Sequence, residues 1–244
     1  MTASVRPVRI LLVVALIALT VGCKGKPTKK APPANAATAG SAAGTGPAGP
    51  RAAPDLVLPR GDGSPPKKTT KPLAKEDFER LDKLEVAGFT KDTRTVGDKV
   101  YEVRHKTKDH PRLWAVVTIK QCFDCLPMEL DKWKAREDAI KAANLESLKD
   151  NKDIEWELGE TQLNGQKIIY SYQVGASQMA GEGGGTFAFT DIYVAYYNDG
   201  INEIRVQGAY KDDPASKDQM KKLAPKEDLR ALALSFLDYY THQW

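Results

Sequence analysis

Phe187-Ala-Phe-Thr-Asp-Ile-Tyr-Val-Ala-Tyr-Tyr197 and Ile201-Asn-Glu-Ile-Arg-Val-Gln-Gly-Ala-Tyr210 flank Asn198-Asp199-Gly200, and together they read as two strands joined by a tight turn. Folding the stretch back at Asp199-Gly200 puts Phe189, Tyr193 and Ala195 on one face with Tyr210, Val206 and Ile204. That face is most simply core. Ile192, Val194 and Tyr196 take the other face, where they are either covered by a helix or exposed as a partner surface.

Working outward toward the C-terminus, Lys211–Ser216 reads as a loop and Lys217–Leu223 as one or two helical turns. Pro225 then opens a helix with Leu229, Leu232, Ala233, Phe236 and Tyr240 at helical spacing. In the other direction, Gly175–Gly185 is a glycine-rich loop. It is no phosphate cradle, because no Gly-Lys-Ser/Thr follows and no helix starts there. Ile154, Trp156 and Leu158 alternate as a strand, Asn164-Gly165 marks a turn, and Ile168, Tyr170, Tyr172 and Val174 alternate beyond it. A two-residue turn places Leu158 opposite Ser171 and Trp156 opposite Gln173, which sets the apolar residues on opposite faces. Gly159 is the expected bulge that absorbs one residue.

The N-terminal part of the domain opens with a predicted helix over Lys75–Leu84, with Phe78 and Leu81 on one face. Val86-Ala-Gly-Phe89 leads into extended chain. Val100, Tyr101 and Val103 predict a strand, Asp109–Arg112 a turn, and Leu113–Ile119 a central strand that is apolar on both sides. Gln121-Cys122-Phe-Asp-Cys125-Leu-Pro127 precedes a helix that runs to about Leu148, with Leu130, Trp133 and Ile140 on its buried side and Pro127 in its first turn. Strands next to one another with tight turns imply an α+β domain, an antiparallel sheet covered by helices.

The chain has 244 residues, a net charge of +4 and 28% charged residues. Arg6 and Arg9 precede an apolar run, Ile10–Val21, that is too short for a membrane span and is followed by Lys24, Lys26, Lys29 and Lys30. Leu19-Thr20-Val21-Gly22-Cys23 resembles the bacterial lipobox. That resemblance implies a signal peptide over 1–22, acylation of Cys23 and a mature N-terminus at Cys23. An ordinary signal peptide cut near Gly22 is the alternative. Lys24 in place of an aspartate leans toward the outer membrane rather than the inner.

Lys24–Pro72 holds 10 of the 15 prolines, 10 alanines and 7 glycines, with Leu56, Val57 and Leu58 its only large apolar side chains. Such a composition predicts a disordered tether over 23–72, with ends ~40 Å apart, and a folded domain over 73–244. Asp55-Leu-Val-Leu-Pro59 is an alternative docking peptide. The tether carries a net charge of +7, which leaves 73–244 mildly acidic, so the overall pI of 8.8 is no argument for nucleic-acid binding. The basic residues beside the lipid suit anionic headgroups or serve as a solvated flank.

The order of elements resembles the PsbP-like fold, an α/β/α sandwich, over about 73–244. The matching parts are Leu126–Leu148, Asn164-Gly165-Gln-Lys-Ile-Ile-Tyr170, Phe187–Tyr210 and Leu234-Ser-Phe236. What the resemblance implies is protein binding or assembly without chemistry.

Three readings of Cys122 and Cys125 remain after the compartment is taken as oxidising. A local disulfide clipping strand to helix would contribute ~2 kcal/mol. A redox pair requires the thioredoxin arrangement of strand, Cys-x-x-Cys and helix, yet the surrounding βαβ pattern is missing. A zinc site would need His105 or His110 beside the cysteines, and ~26 Å of strand separates the position opposite His105 from Cys122. His242, three residues from the end, reads as exposed, and no serine or cysteine neighbours a histidine in a recognisable motif. The sequence therefore predicts a lipid-anchored, non-enzymatic envelope protein that binds a protein or envelope partner, with no cofactor and no metal. A tethered thiol-disulfide protein is the alternative. A small-ligand carrier lidded by Gly181–Gly185 is the second.

Overall fold

The computed structural model describes residues 56–143, 155–179, 187–212 and 217–244. The signal segment, Cys23, most of the tether and Gly181–Gly185 lie outside the described residues. In chain order the elements are α1 (Lys75–Asp82), β1 (Phe89–Val96), β2 (Val100–Thr107), β3 (Leu113–Gln121), α2 (Leu130–Ala143), β4 (Glu155–Leu163), β5 (Gln166–Met179), β6 (Phe187–Asn198), β7 (Asn202–Asp212), α3 (Lys217–Leu223) and α4 (Lys226–Thr241). The strands form one seven-stranded sheet in the order β1-β2-β3-β7-β6-β5-β4, and every neighbouring pair is antiparallel.

The β6–β7 hairpin folds as its sequence predicts, with Tyr193 opposite Gly208, Ala195 opposite Val206 and Tyr197 opposite Ile204. Alternation carries that face across the sheet through Val117 and Ile119 of β3 and Tyr101 and Val103 of β2. All of these apolar side chains are buried, because α4 lies across β7 and β6 and α1 packs on β1 and β2. The helical spacing of α4 is borne out: Leu229, Leu232, Ala233, Phe236 and Tyr240 are each at most 1% exposed. Phe236 meets Phe89 edge to face at 4.9 Å, an arrangement that suits two ring quadrupoles.

Gly208 fixes how closely the helix sits. A Cβ there would fall 2.5 Å from the Leu229 carbonyl oxygen and 3.4 Å from the Ala233 nitrogen. Both are backbone atoms of α4, so no side chain can move aside to make room.

Besides β5, which runs to Met179 into the stretch expected to be a loop from Gly175, three expectations are overturned. No bulge forms at Gly159: the two-residue turn at Asn164 (φ 49°) and Gly165 (φ 81°) sets Leu158 opposite Ser171 and Gly159 opposite Tyr170 in unbroken register. Gly159 is a seat instead, since a Cβ there would come within 2.6 Å of the Tyr170 hydroxyl. The irregularity lies between Gln173 and Ala176 of β5, facing β6. Trp156 consequently points outward and is 46% exposed. Next, α2 starts at Leu130 rather than at Pro127, whose carbonyl accepts the Trp133 indole N–H at 2.9 Å.

The third correction concerns the tether. Leu56–Pro72 lies against the domain as a strap, with Leu56 and Leu58 packed on the core and Pro66 buried. Local apolar content does not foresee this, because polar side chains of distant turns hold the strap. The Asp199 carboxylate accepts the Ile201 and Asn202 N–H groups at 2.8 Å and the Thr69 N–H and hydroxyl at 2.6 Å. Burial alone would push this carboxyl up; the hydrogen bonds from Asn202, Thr69 and Ile201 bring it below the usual carboxylate range. Asn202, fully buried, accepts the Leu73 N–H at 3.0 Å and donates to Thr69 Oγ1 and the Lys71 carbonyl.

Gly208→Ala should lower the unfolding free energy by about 3 kcal/mol or prevent folding, read from denaturant titration, because the added methyl displaces the α4 backbone. A chain starting at Leu73 should be less stable than one starting at Leu56 by at least about 2 kcal/mol; equal midpoints would show that the strap contributes nothing.

Candidate functional site: the open half of the second sheet face

The pleat that turns Ile204, Val206 and Gly208 toward α4 turns Arg205 and Gln207 of β7 the other way. Only part of this second face is covered by a described helix. Trp133 of α2 packs on Tyr196 with ring centroids 4.8 Å apart, and Val194 is buried. Ile192 is half-buried at the edge of an uncovered groove. Of the three residues expected on this face, Tyr196 is covered by a helix, and Ile192 stands beside the groove.

The groove encloses about 510 Å³ across β2, β3, β7 and β6. Glu102, Arg104, Lys106, Trp114, Val116, Thr118, Ile192, Arg205, Gln207 and Lys211 contribute to its walls and floor, so cations outnumber carboxylates four to one. Arg104 sits 5.9 Å from the Trp114 ring centroid, and Arg205 lies 5.9 Å from that of Tyr196. Asp92, placed where β1 shifts register between Lys91 and Thr93, reaches Lys106 at 3.0 Å and Arg104 at 3.6 Å. Thr118 donates to Glu102 at 3.1 Å. Such a surface can attract an anionic group by charge and offer it guanidinium N–H donors, with Trp114 and Val116 available for apolar contact.

Cys122 and Cys125 form a disulfide, the structural reading of the pair. The Cys122 N–H donates to the Ile201 carbonyl at 2.8 Å, and Cys125 Sγ lies 3.5 Å from a Glu203 carboxylate oxygen. The geometry does not match thiol activation. Helix α2 begins at Leu130, well beyond Cys125, and Cys125 Sγ faces the Glu203 carboxylate, an anion that disfavours a thiolate. Phe123, between the two cysteines, is 73% exposed and lies under the Lys99 ammonium at 4.8 Å.

His105 is a core residue, 1% exposed, with Nε2 2.8 Å from the Tyr240 hydroxyl and its ring against Phe236. His110 lies in the β2–β3 turn, where its carbonyl meets Thr107 Oγ1. The His242 side chain is buried rather than exposed, only 4% accessible. Its Nδ1 donates to the Asp238 carbonyl at 2.6 Å, and Nε2 faces Ser64 Oγ and Asp62 Oδ1, each at 2.9 Å. Asp238 in turn accepts the Gly61 N–H at 2.7 Å and the Asn164 side-chain N–H at 3.0 Å.

Ser64, His242 and Asp238 therefore meet, which no spacing in the sequence discloses. The set resembles a hydrolytic triad only in composition. The Asp238 carboxylate is 3.5 Å from Nδ1, and the Ser64 and Gly61 N–H groups are spent on Asp62 and Asp238 rather than aimed at a developing oxyanion. What the cluster does is clamp the strap to the end of α4.

Burial, and secondarily the Lys91 charge, lowers the His105 pKa from 6.5 to about 4. The unfolded chain then binds the proton first as pH falls, so this stability is complete above about pH 6.5 and lost toward pH 4. The loss is about 3 kcal/mol. Denaturant midpoints across pH 7 to 4 should fall steeply for the native chain and less so for His105→Gln; equal slopes would refute the assignment.

No described helix is long and apolar enough to cross a membrane. In comparison with known proteins, the chain matches no family model and no curated sequence.

Proposed function

We propose that this chain is a lipid-anchored protein of the bacterial envelope, held through Cys23 and facing the periplasm or surface from the outer membrane. Its domain acts without catalysis, by binding a protein partner. The observation that carries the binding half is the groove: one sheet face is sealed by α4 and α1, while half of the other presents Arg104, Trp114, Arg205 and Gln207 with no described helix over them. The resemblance to PsbP-like domains is part of the same reading. Helices on both faces of an antiparallel sheet, α4 on one and α2 on the other, support it. The anchoring half stands on Arg6, Arg9, the Ile10–Val21 run and Leu19–Cys23.

In cell fractionation, Cys23→Ser should move the protein from membranes to the soluble fraction; persistent membrane association would sink the anchor. A photo-crosslinking residue at Gln207, in the groove, should yield a discrete adduct in cells that the same residue at exposed Glu79 of α1 does not. No adduct from the groove would overturn the binding reading.

A further inference from the structure

We infer that the groove receives an extended acidic segment of a partner protein, an inference that rests on the binding reading above. Arg104 and Lys106 alternate along β2, which spaces their charges ~7 Å apart, the same repeat at which alternate side chains leave an extended peptide. Across the groove, Arg205 on β7 and Lys211 near its end form a second cationic row. A strand laid between the rows would run over β3, with cations on both sides and Trp114 and Val116 beneath it.

The four cations are not equally available. Arg104 and Lys106 share Asp92. Among the described residues, neither Arg205 nor Lys211 is in an ion pair, and Arg205 is exposed. The Arg205 guanidinium lies 5.9 Å from the Tyr196 ring centroid, and its exposed N–H groups suit a two-pronged carboxylate contact. Arg205 is thus the residue on which discrimination turns. The chain's own stretch 24–72 is excluded as occupant by charge, since its net +7 would be repelled.

The full chain, solubilised in detergent, is titrated into three probes followed by fluorescence anisotropy: a short fluorescein-labelled peptide of alternating glutamate and leucine, its lysine–leucine counterpart, and labelled polygalacturonate. The acidic peptide should bind, weaken as salt is raised, and be weakened at least about ten-fold by Arg205→Glu, the equivalent of about 1.4 kcal/mol. Arg205→Lys should retain part of the affinity, and an unchanged unfolding midpoint for both variants shows that they fold.

Three results overturn the inference. They are no binding of the acidic peptide, equal binding of the lysine–leucine peptide, or tight binding of polygalacturonate alone, which would make the occupant an acidic polysaccharide. Binding indifferent to Arg205→Glu would place the peptide elsewhere. If the Gln207 crosslink forms while the acidic peptide fails, the groove binds something of other chemistry and the binding reading stands; if both fail, the reading itself falls.

Discussion

The contact between Gly208 and the Leu229 carbonyl governs much of what surrounds it. A helix can lie this close to a strand only where the strand offers no side chain. Ala115 opposite Gly208 on β3 and Ala233 on α4 keep the furrow shallow on both partners. Tyr193 and Phe236 then fill the space to either side, and the depth of α4 brings Tyr240 within reach of His105. The same placement carries Asp238 and His242 to the end of the sheet where the strap runs. On the opposite side of β7 no equivalent seat exists. Glu203, Arg205 and Gln207 project there instead. The groove and the sealed core are therefore two results of one alternation along a single strand.

That alternation is why so much of the fold was legible. Period-two patterns in β5, β6 and β7, the helical spacing of α4 and the two Gly-containing turns are local signals, and each is borne out. The strap was not legible because what holds it is not local. Asp199 and Asn164 were read for the backbone they permit, whereas their carboxylate and amide also reach residues 100 or more positions away. Gly159 was misread for a related reason. Mismatched apolar sets suggest an extra residue, but the strand pair keeps its register and leaves Trp156 outside. The clamp of Ser64, Asp238 and His242 joins the two ends of the domain, so no motif search over adjacent residues could find it.

Charge is distributed on three scales, and they disagree in sign. The whole chain is positive and its folded part mildly acidic, yet the groove within that part is lined by four cations against Glu102. Bulk charge sets long-range approach, while contact is decided within about a Debye length of the surface. An acidic ligand is therefore resisted weakly by the domain at large and drawn strongly at one place, which favours selectivity over indiscriminate adhesion.

The strap also defines a load path. Among the described residues, a pull on the chain from its N-terminal side meets the strap, from Leu56 onward, before it meets the sheet. The clamp on His242 and Asp238 would be strained ahead of the two bonds from Thr69 to Asp199, and Leu73 bound to Asn202 comes last. Bonds loaded one after another give way at lower force than bonds loaded together. The strap is thus the part of the described domain that would yield first, while the sheet and its groove keep their shape.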